Sequence, residues 1–308
     1  MHQKLPSSKY RSIKQLVYSY LTKLLSSNTY DIKNVYIKDE KTHLYKGRDD
    51  SKVLYISGVA LRLSKSQNRK AMELASAIAS DLSGICEDVF SIQIVPPGLI
   101  HFELTHSTLA TWLQNLAVGS LGGEGAGEQG AGSRGAEEDK GTIDPPCPMP
   151  NAPCPMSNSL FAIQYAHARC CSLVLLAHRE GLIKLRQPVP NTSPVFWDVI
   201  SPKPLPWLNR DGVLRLNHPD ERRLIGELIQ VIDNTECPDI NGSVKLEKAA
   251  LNLSQAFEKF WCNCRIWGEV KITSLELAQA RLGLLMVTQS ALKCVLEENL
   301  GVFAPLEL

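Results

Sequence analysis

Four residues late in the chain combine two chemistries that nucleic-acid loops require. Trp261 and Trp267 offer flat faces on which unpaired bases stack, while Arg265 and Lys271 offer cations that neutralise phosphate. A second group lies in the run Phe161-Ala162-Ile163-Gln164-Tyr165-Ala166-His167-Ala168-Arg169. There an imidazole and a phenol two residues apart invite an acid–base reading, and Arg169 can either cap carbonyls or contact a phosphate. No catalytic residue follows from these types alone. A metal centre is not expected either: Cys262-Asn263-Cys264 and Cys170-Cys171 lack the two-to-four-residue gap with which two thiolates from one loop grip zinc.

These groups need elements to hold them. From Ser159 onward the pattern is helical: Phe161, Tyr165, Ala168, Ser172 and Leu175 define one stripe, and the helix is expected to end near Gly181. Asp220 is a good N-cap for a helix that turns Leu224, Leu228 and Ile232 inward beside Ile225 and Ile229. Leu246, Ala249, Ala250, Leu253, Phe257, Phe260 and Trp261 define the next, with Phe257 and Phe260 expected in the core. Thr273-Ser274-Leu275-Glu276 reads as a capping box opening the last, in which Arg281 buries its stem and braces its neighbours. Four such helices imply a bundle over residues 159–308, interrupted at 187–219 by a proline-rich, irregular insertion.

Residues 1–118 read as a small α/β unit. A helix covers Ser12 to Leu25 and strands are expected at Asn34–Ile37 and Val53–Ile56. A second helix is expected from Gln67 to Leu82, then a strand pair around Pro96-Pro97-Gly98, then a helix from Thr108 to Ala117. Between the two units, residues 119–158 are rich in glycine and then proline, the composition of a flexible linker. The expected fold class is therefore α+β: a small N-terminal α/β domain, a linker and an all-α bundle.

The formal net charge is +1, unevenly spread. Residues 1–118 carry 15 Lys+Arg against 10 Asp+Glu, residues 119–160 carry 2 against 6, and the remainder 16 against 16. The N-terminal unit can thus add salt-sensitive attraction for phosphate, and the acidic tract should stay off a polyanion. No apolar run of membrane-spanning length and no secretory leader pattern stand out, and the nine cysteines lack framework spacing, so cytosol with reduced thiols is the expectation.

Three blocks resemble arginyl-tRNA synthetases. Gln164-Tyr165-Ala166-His167-Ala168-Arg169 is similar to that family's FxxQYAHAR signature. The segments Leu253 to Trp261, Ala280-Arg281-Leu282 and Leu300 to Pro305 resemble its DALR anticodon-binding domain, and Val95 to Leu104 resembles the PGFIN-type strand of its N-terminal additional domain. The resemblance covers roughly residues 10–118 and 159–308. It implies that Gln164, Tyr165, His167, Arg169 and Arg281 are mainly structural, and that Trp261, Arg265, Trp267, Lys271, Arg169 and His101 are candidates for contacting tRNA. His101 replaces the family's usual Asn and Leu99 its aromatic; His101 can still hydrogen-bond a base edge.

The family keeps its ATP-dependent catalytic domain between these blocks. Only 43 residues separate Ala117 from Phe161, hardly more than one βαβ unit of about 30. Leu63-Ser64-Lys65-Ser66 is superficially like a KMSKS loop but stands alone. The resemblance therefore implies a non-catalytic tRNA-binding protein without cofactor, whose RNA is an arginine acceptor and which serves a tRNA-modifying enzyme or a synthetase as adaptor or regulator. Two alternatives stand beside it. One is a protein-interaction module docking through Phe196, Trp197 and Trp207 of the insertion, the other the non-catalytic subunit of a split ligase.

Overall fold

In the computed structural model, residues 12–26, 44–47, 52–86, 88–118, 158–186, 194, 196–237 and 242–308 are described. The expected strand at Asn34–Ile37, nearly all of the expected linker and residues 187–193 of the insertion lie outside them.

The N-terminal unit runs α1 (Ile13–Ser26), β1 (Leu44–Lys46), β2 (Leu54–Ser57), α2 (Val59–Gln67), α3 (Ala71–Cys86), β3 (Phe90–Val95), β4 (Leu99–Leu104) and α4 (His106–Val118). Its antiparallel sheet has the order β1-β2-β4-β3. Alternation sends Tyr55, Ile100, Phe102 and Leu104 into the core beside the apolar stripe of α1 and α3, while Ser91 and Gln93 stay exposed on the other face. The helix expected over Gln67 to Leu82 begins at Ala71 as α3, and a further helix not expected from sequence, α2, precedes it and ends where Asn68 takes the left-handed conformation at φ 52°. Gly98 closes the β3–β4 turn at φ 135°. A side chain there would also meet Ala71 at 2.9 Å, so both backbone and space require glycine.

The bundle comprises α5 (Asn158–Arg179), α6 (Pro219–Glu236), α7 (Gly242–Asn263), the short α8 (Glu269–Thr273) and α9 (Leu275–Cys294), which continues as a π-helical turn through Asn299 until Gly301 at φ 65°. Two expected caps are corrected. His218, not Asp220, caps α6: its side chain accepts from the Asp220 amide, Glu221 accepts in return from the His218 amide, and Pro219 occupies the first turn. Ser274 precedes α9 without a side-chain capping bond, so no capping box forms there.

The insertion is more ordered than its prolines suggest. A two-stranded ribbon, β5 (Lys184–Leu185) with β6 (Val199–Ser201), leads into a loop whose Leu205, Trp207, Leu214 and Leu216 are buried, as is Trp197 ahead of β6. Trp197 and Trp207 are each 3% exposed, so they cannot serve as docking residues. Trp207 fills the space above Gly283 of α9, where an added Cβ would lie 2.6 Å from the indole. The α5 helix also departs from expectation. By length and composition, Ser159–Arg179 is apolar enough to cross a membrane, yet 61% of its most apolar window is buried inside the protein. Its apolarity is that of a central bundle helix packed on α7 and α9.

The two units pack directly on one another, α1 against α6 and α4 against α9. Asp233 of α6 is the polar centre of this junction: it accepts from Ser12 Oγ at 2.8 Å, from the Lys14 amide at 3.2 Å and from the Tyr55 hydroxyl. Burial nevertheless pushes its carboxyl above the usual range, with those bonds pulling the other way. A second link is made by Gln114 Oε1, which accepts from the Leu205 amide at 3.0 Å and from Trp207 Nε1 at 2.9 Å. Lys46 Nζ donates to the Gly226 carbonyl across the same seam.

Candidate nucleic-acid interface

Helix α5 presents Phe161, Tyr165 and Arg169 to solvent at four-residue intervals. Phe161 and Tyr165 are 52% and 46% exposed, and their rings stack with centroids 6.5 Å apart at 24°. The stripe expected from sequence places both inward, and the structure corrects it. Ala168 and Leu175 of that stripe are buried as expected, but Ile163, Ala166, Cys170, Cys171, Val174 and Ala177 complete the side that packs on α7 and α9.

Arg169 continues the row. Its guanidinium carbon lies 5.3 Å from the centroid of the Trp261 ring, and Trp261 meets Trp267 edge to face at 5.8 Å and 77°. Trp261 ends α7 and Trp267 occupies the following turn, so three elements supply one continuous surface. It runs from the stacked Phe161–Tyr165 pair through a cation held over an indole. Arg265 is exposed beside it, and its carbonyl accepts from the Arg281 guanidinium, which fixes the turn. Lys271 is engaged: its ammonium pairs with Glu180 Oε2 at 2.9 Å, which balances its charge. His101 is not part of this surface. It sits on the open sheet face of the N-terminal unit, in register with Ile56 and Gln93, and Ile56 in turn faces Tyr45 on the edge strand.

The remaining signature residues are structural. His167 is fully buried, with Nδ1 2.9 Å from the Pro305 carbonyl and Nε2 3.0 Å from Gln289 Nε2. The only consistent assignment makes Nδ1–H the donor to Pro305 and Nε2 the acceptor from the Gln289 amide. Gln289 also receives Trp197 Nε1 at 3.0 Å, so α5, α9, the insertion and the C-terminal tail share one buried network. Burial lowers the imidazole to about 4, which keeps it neutral and unsuited to proton transfer at neutral pH. Gln164 donates to the Phe303 carbonyl at 2.7 Å. Arg281 meets Glu221 at 2.6 Å with both side chains almost wholly enclosed. Burial pushes the Cys171 and Cys264 thiols up to about 12, so both stay protonated. In the KMSKS-like segment, Ser64 and Ser66 donate to the Leu61 and Leu63 carbonyls within α2, which makes it helix and not a catalytic loop.

Residues 163–308 match the family described as the DALR anticodon binding domain. This region, just under half of the chain, is similar to the DALR anticodon-binding domain. The curated relatives are arginine–tRNA ligases. That of Synechococcus sp. (strain JA-3-3Ab) is 30% identical over 149 residues, 48% of this chain and 22% of the relative. That of Ruminiclostridium cellulolyticum is 29% identical over 149 residues, with the same coverage of both chains. The chain thus spans about a fifth of the length of the curated relatives it matches. No solved structure matches. Of the expected contact residues, Arg169, Trp261 and Trp267 come together, Arg265 is exposed in the turn between the two tryptophans, and the Phe161–Tyr165 pair extends the same face of α5 although the sequence pattern assigns both to the core. Their i, i+4 spacing with Arg169 is the signal that could reveal the exposed row.

Proposed function

We propose that this protein binds tRNA, with an arginine acceptor as its ligand, and that the surface of Phe161, Tyr165, Arg169 and Trp261 receives unstacked anticodon-loop bases. The observation that carries this reading is the stacked, half-exposed Phe161–Tyr165 pair running into a guanidinium held over an indole, within a domain of the anticodon-binding family. Two exposed rings supply base-stacking area, and Arg169, desolvated on one side by Trp261, supplies directed positive charge for phosphate. Arg265 adds a second cation at the rim.

The chain's own role is recognition without amino-acid activation. The direct packing of α1 on α6 and α4 on α9 supports this, since the two units meet with no further folded domain between them among the described residues. Such a protein would act in the cytosol as adaptor or regulator of a tRNA enzyme. The test is fluorescence anisotropy with labelled arginine-acceptor tRNA. Phe161→Ala/Tyr165→Ala should weaken binding roughly tenfold to a hundredfold, given about 1–3 kcal/mol per stacked base, while leaving Tm within about a degree. Equal affinity of wild type and double variant would end the proposal, as would failure of the wild type to bind at low salt. ATP–pyrophosphate exchange should be absent, and its detection would refute the non-catalytic reading.

A further inference from the structure

The junction between the two units leaves an open seam that the aromatic surface does not use. Two cavities lie along it, of about 440 Å³ and about 390 Å³, and both are lined by Lys46 and Gln230, so they adjoin. Together they follow α6 from Arg222 to Asn234, about 18 Å at 1.5 Å per residue. Six cationic side chains line them: Lys14, Lys46, Lys52, Arg222, Lys245 and Lys248. Among the described residues, the carboxylates that line them are Glu103 and Asp233. Glu103 pairs with Lys52 at 2.9 Å, which balances that charge, and Asp233 already accepts from the Ser12 and Tyr55 hydroxyls and the Lys14 backbone amide. Such a concentration of cations stands out in a chain whose net charge is only +1.

We propose that this seam holds a run of RNA phosphodiesters, as a second site that deepens the tRNA-binding reading and rests on it. The length decides between an extended polyanion and a compact one. A single phosphate or mononucleotide would meet two or three of these cations, whereas a run of consecutive phosphates can follow all 18 Å or so of the groove. The interactions are with backbone charge, so the seam adds affinity that is salt-dependent and indifferent to sequence. Its position also matters. Lys245, Lys248 and Asn252 of α7 face β1 and α6, whereas Trp261 of the same helix faces Arg169 of α5. One RNA that engages both sites must therefore present two segments on different sides of α7, as a bent molecule can. Because the seam is built from both units, an RNA lying in it would also hold them together.

The test compares wild type, Lys245→Ala/Lys248→Ala and Phe161→Ala/Tyr165→Ala in anisotropy titrations of full-length tRNA across a salt series. Lys245 and Lys248 are exposed on α7, so their replacement by a strong helix former should spare the fold, as circular dichroism will verify. The seam variant should bind about tenfold more weakly at 0.1 M salt. Its plot of log affinity against log salt should be shallower by one to two, about one for each phosphate that is no longer neutralised. Arg222→Ala should act in the same direction. The aromatic variant should lose affinity while keeping the wild-type slope. If the seam variants keep both affinity and slope while the aromatic variant loses affinity, the seam proposal fails and tRNA binding stands. Saturable binding of ATP that depends on these lysines, with an unchanged tRNA slope, would overturn it in favour of a small-molecule site. If wild type binds no tRNA, the parent reading falls first.

Discussion

Protonation of His167 should destabilise this fold, and the size of the effect follows from its surroundings. The imidazole is enclosed between the Pro305 carbonyl and Gln289, and burial lowers it from 6.5 to about 4. The unfolded chain takes up the proton as pH falls through about 6.5, while the native state resists until about 4. The native state is therefore progressively disfavoured across that window and the loss levels off below it. Lowering the group from 6.5 to about 4 is worth roughly 3 kcal/mol in full, of which about 2.5 kcal/mol is lost by pH 4.5. Asp233 works in the opposite sense: its raised carboxyl favours the folded state as pH falls, so the raw pH profile mixes the two. The clean measurement is a difference. Urea unfolding of wild type and His167→Asn at pH 7.5 to 4.5 should show wild type ahead at neutral pH and the gap closing by about 2–3 kcal/mol at the acid end. Parallel profiles would show that His167 titrates normally in the native state, and the buried network assigned to it would be wrong. The His167 ring proton in an NMR titration gives the same answer directly.

Two further perturbations test the packing that supports the interface. Glu221→Gln removes the carboxylate facing Arg281 while leaving the guanidinium enclosed, so unfolding free energy should fall by about 3–5 kcal/mol; a change under about 1 kcal/mol in a denaturant titration would mean the pair is solvated. Gly283→Ala places a methyl 2.6 Å from the Trp207 ring, and should cost about 1–3 kcal/mol while altering tryptophan emission; unchanged Tm and emission would show that Trp207 does not lie over α9.

Helices with one strongly apolar side are legible in sequence. In α6 and α7 the expected inward residues Leu224, Leu228, Leu253, Phe257 and Phe260 are all buried, because only one face could bury them without taking charges along. Helix α5 lacks that asymmetry. Apolar residues surround most of its circumference, so two different stripes satisfy the same period, and only its neighbours α7 and α9 select the one that is covered. Phe161 and Tyr165 are assigned to the core for that reason, and they form much of the candidate site. Proline content misleads in a related way: it marks the insertion as irregular in backbone, which says nothing about whether Trp197 and Trp207 find a hydrophobic seat. At α6 the Pro219 at the first helical position does mark the start, and places His218 as the cap ahead of the statistically favoured Asp220.

Local order and kinship are written in the linear chain: the α+β class, the bundle, the aromatic and basic residues around Trp261, and the anticodon-binding resemblance that the family match supports. Those properties depend on residue type and short-range spacing, which a sequence displays directly. Surface and seam were settled by assembly. Which side of α5 meets water, how Arg169 comes to lie over Trp261, why Lys271 is paired with Glu180, and where six cations converge between two units all depend on residues far apart in the chain meeting in space. No periodicity carries such encounters, because burial is decided by what a face packs against and not by the face alone.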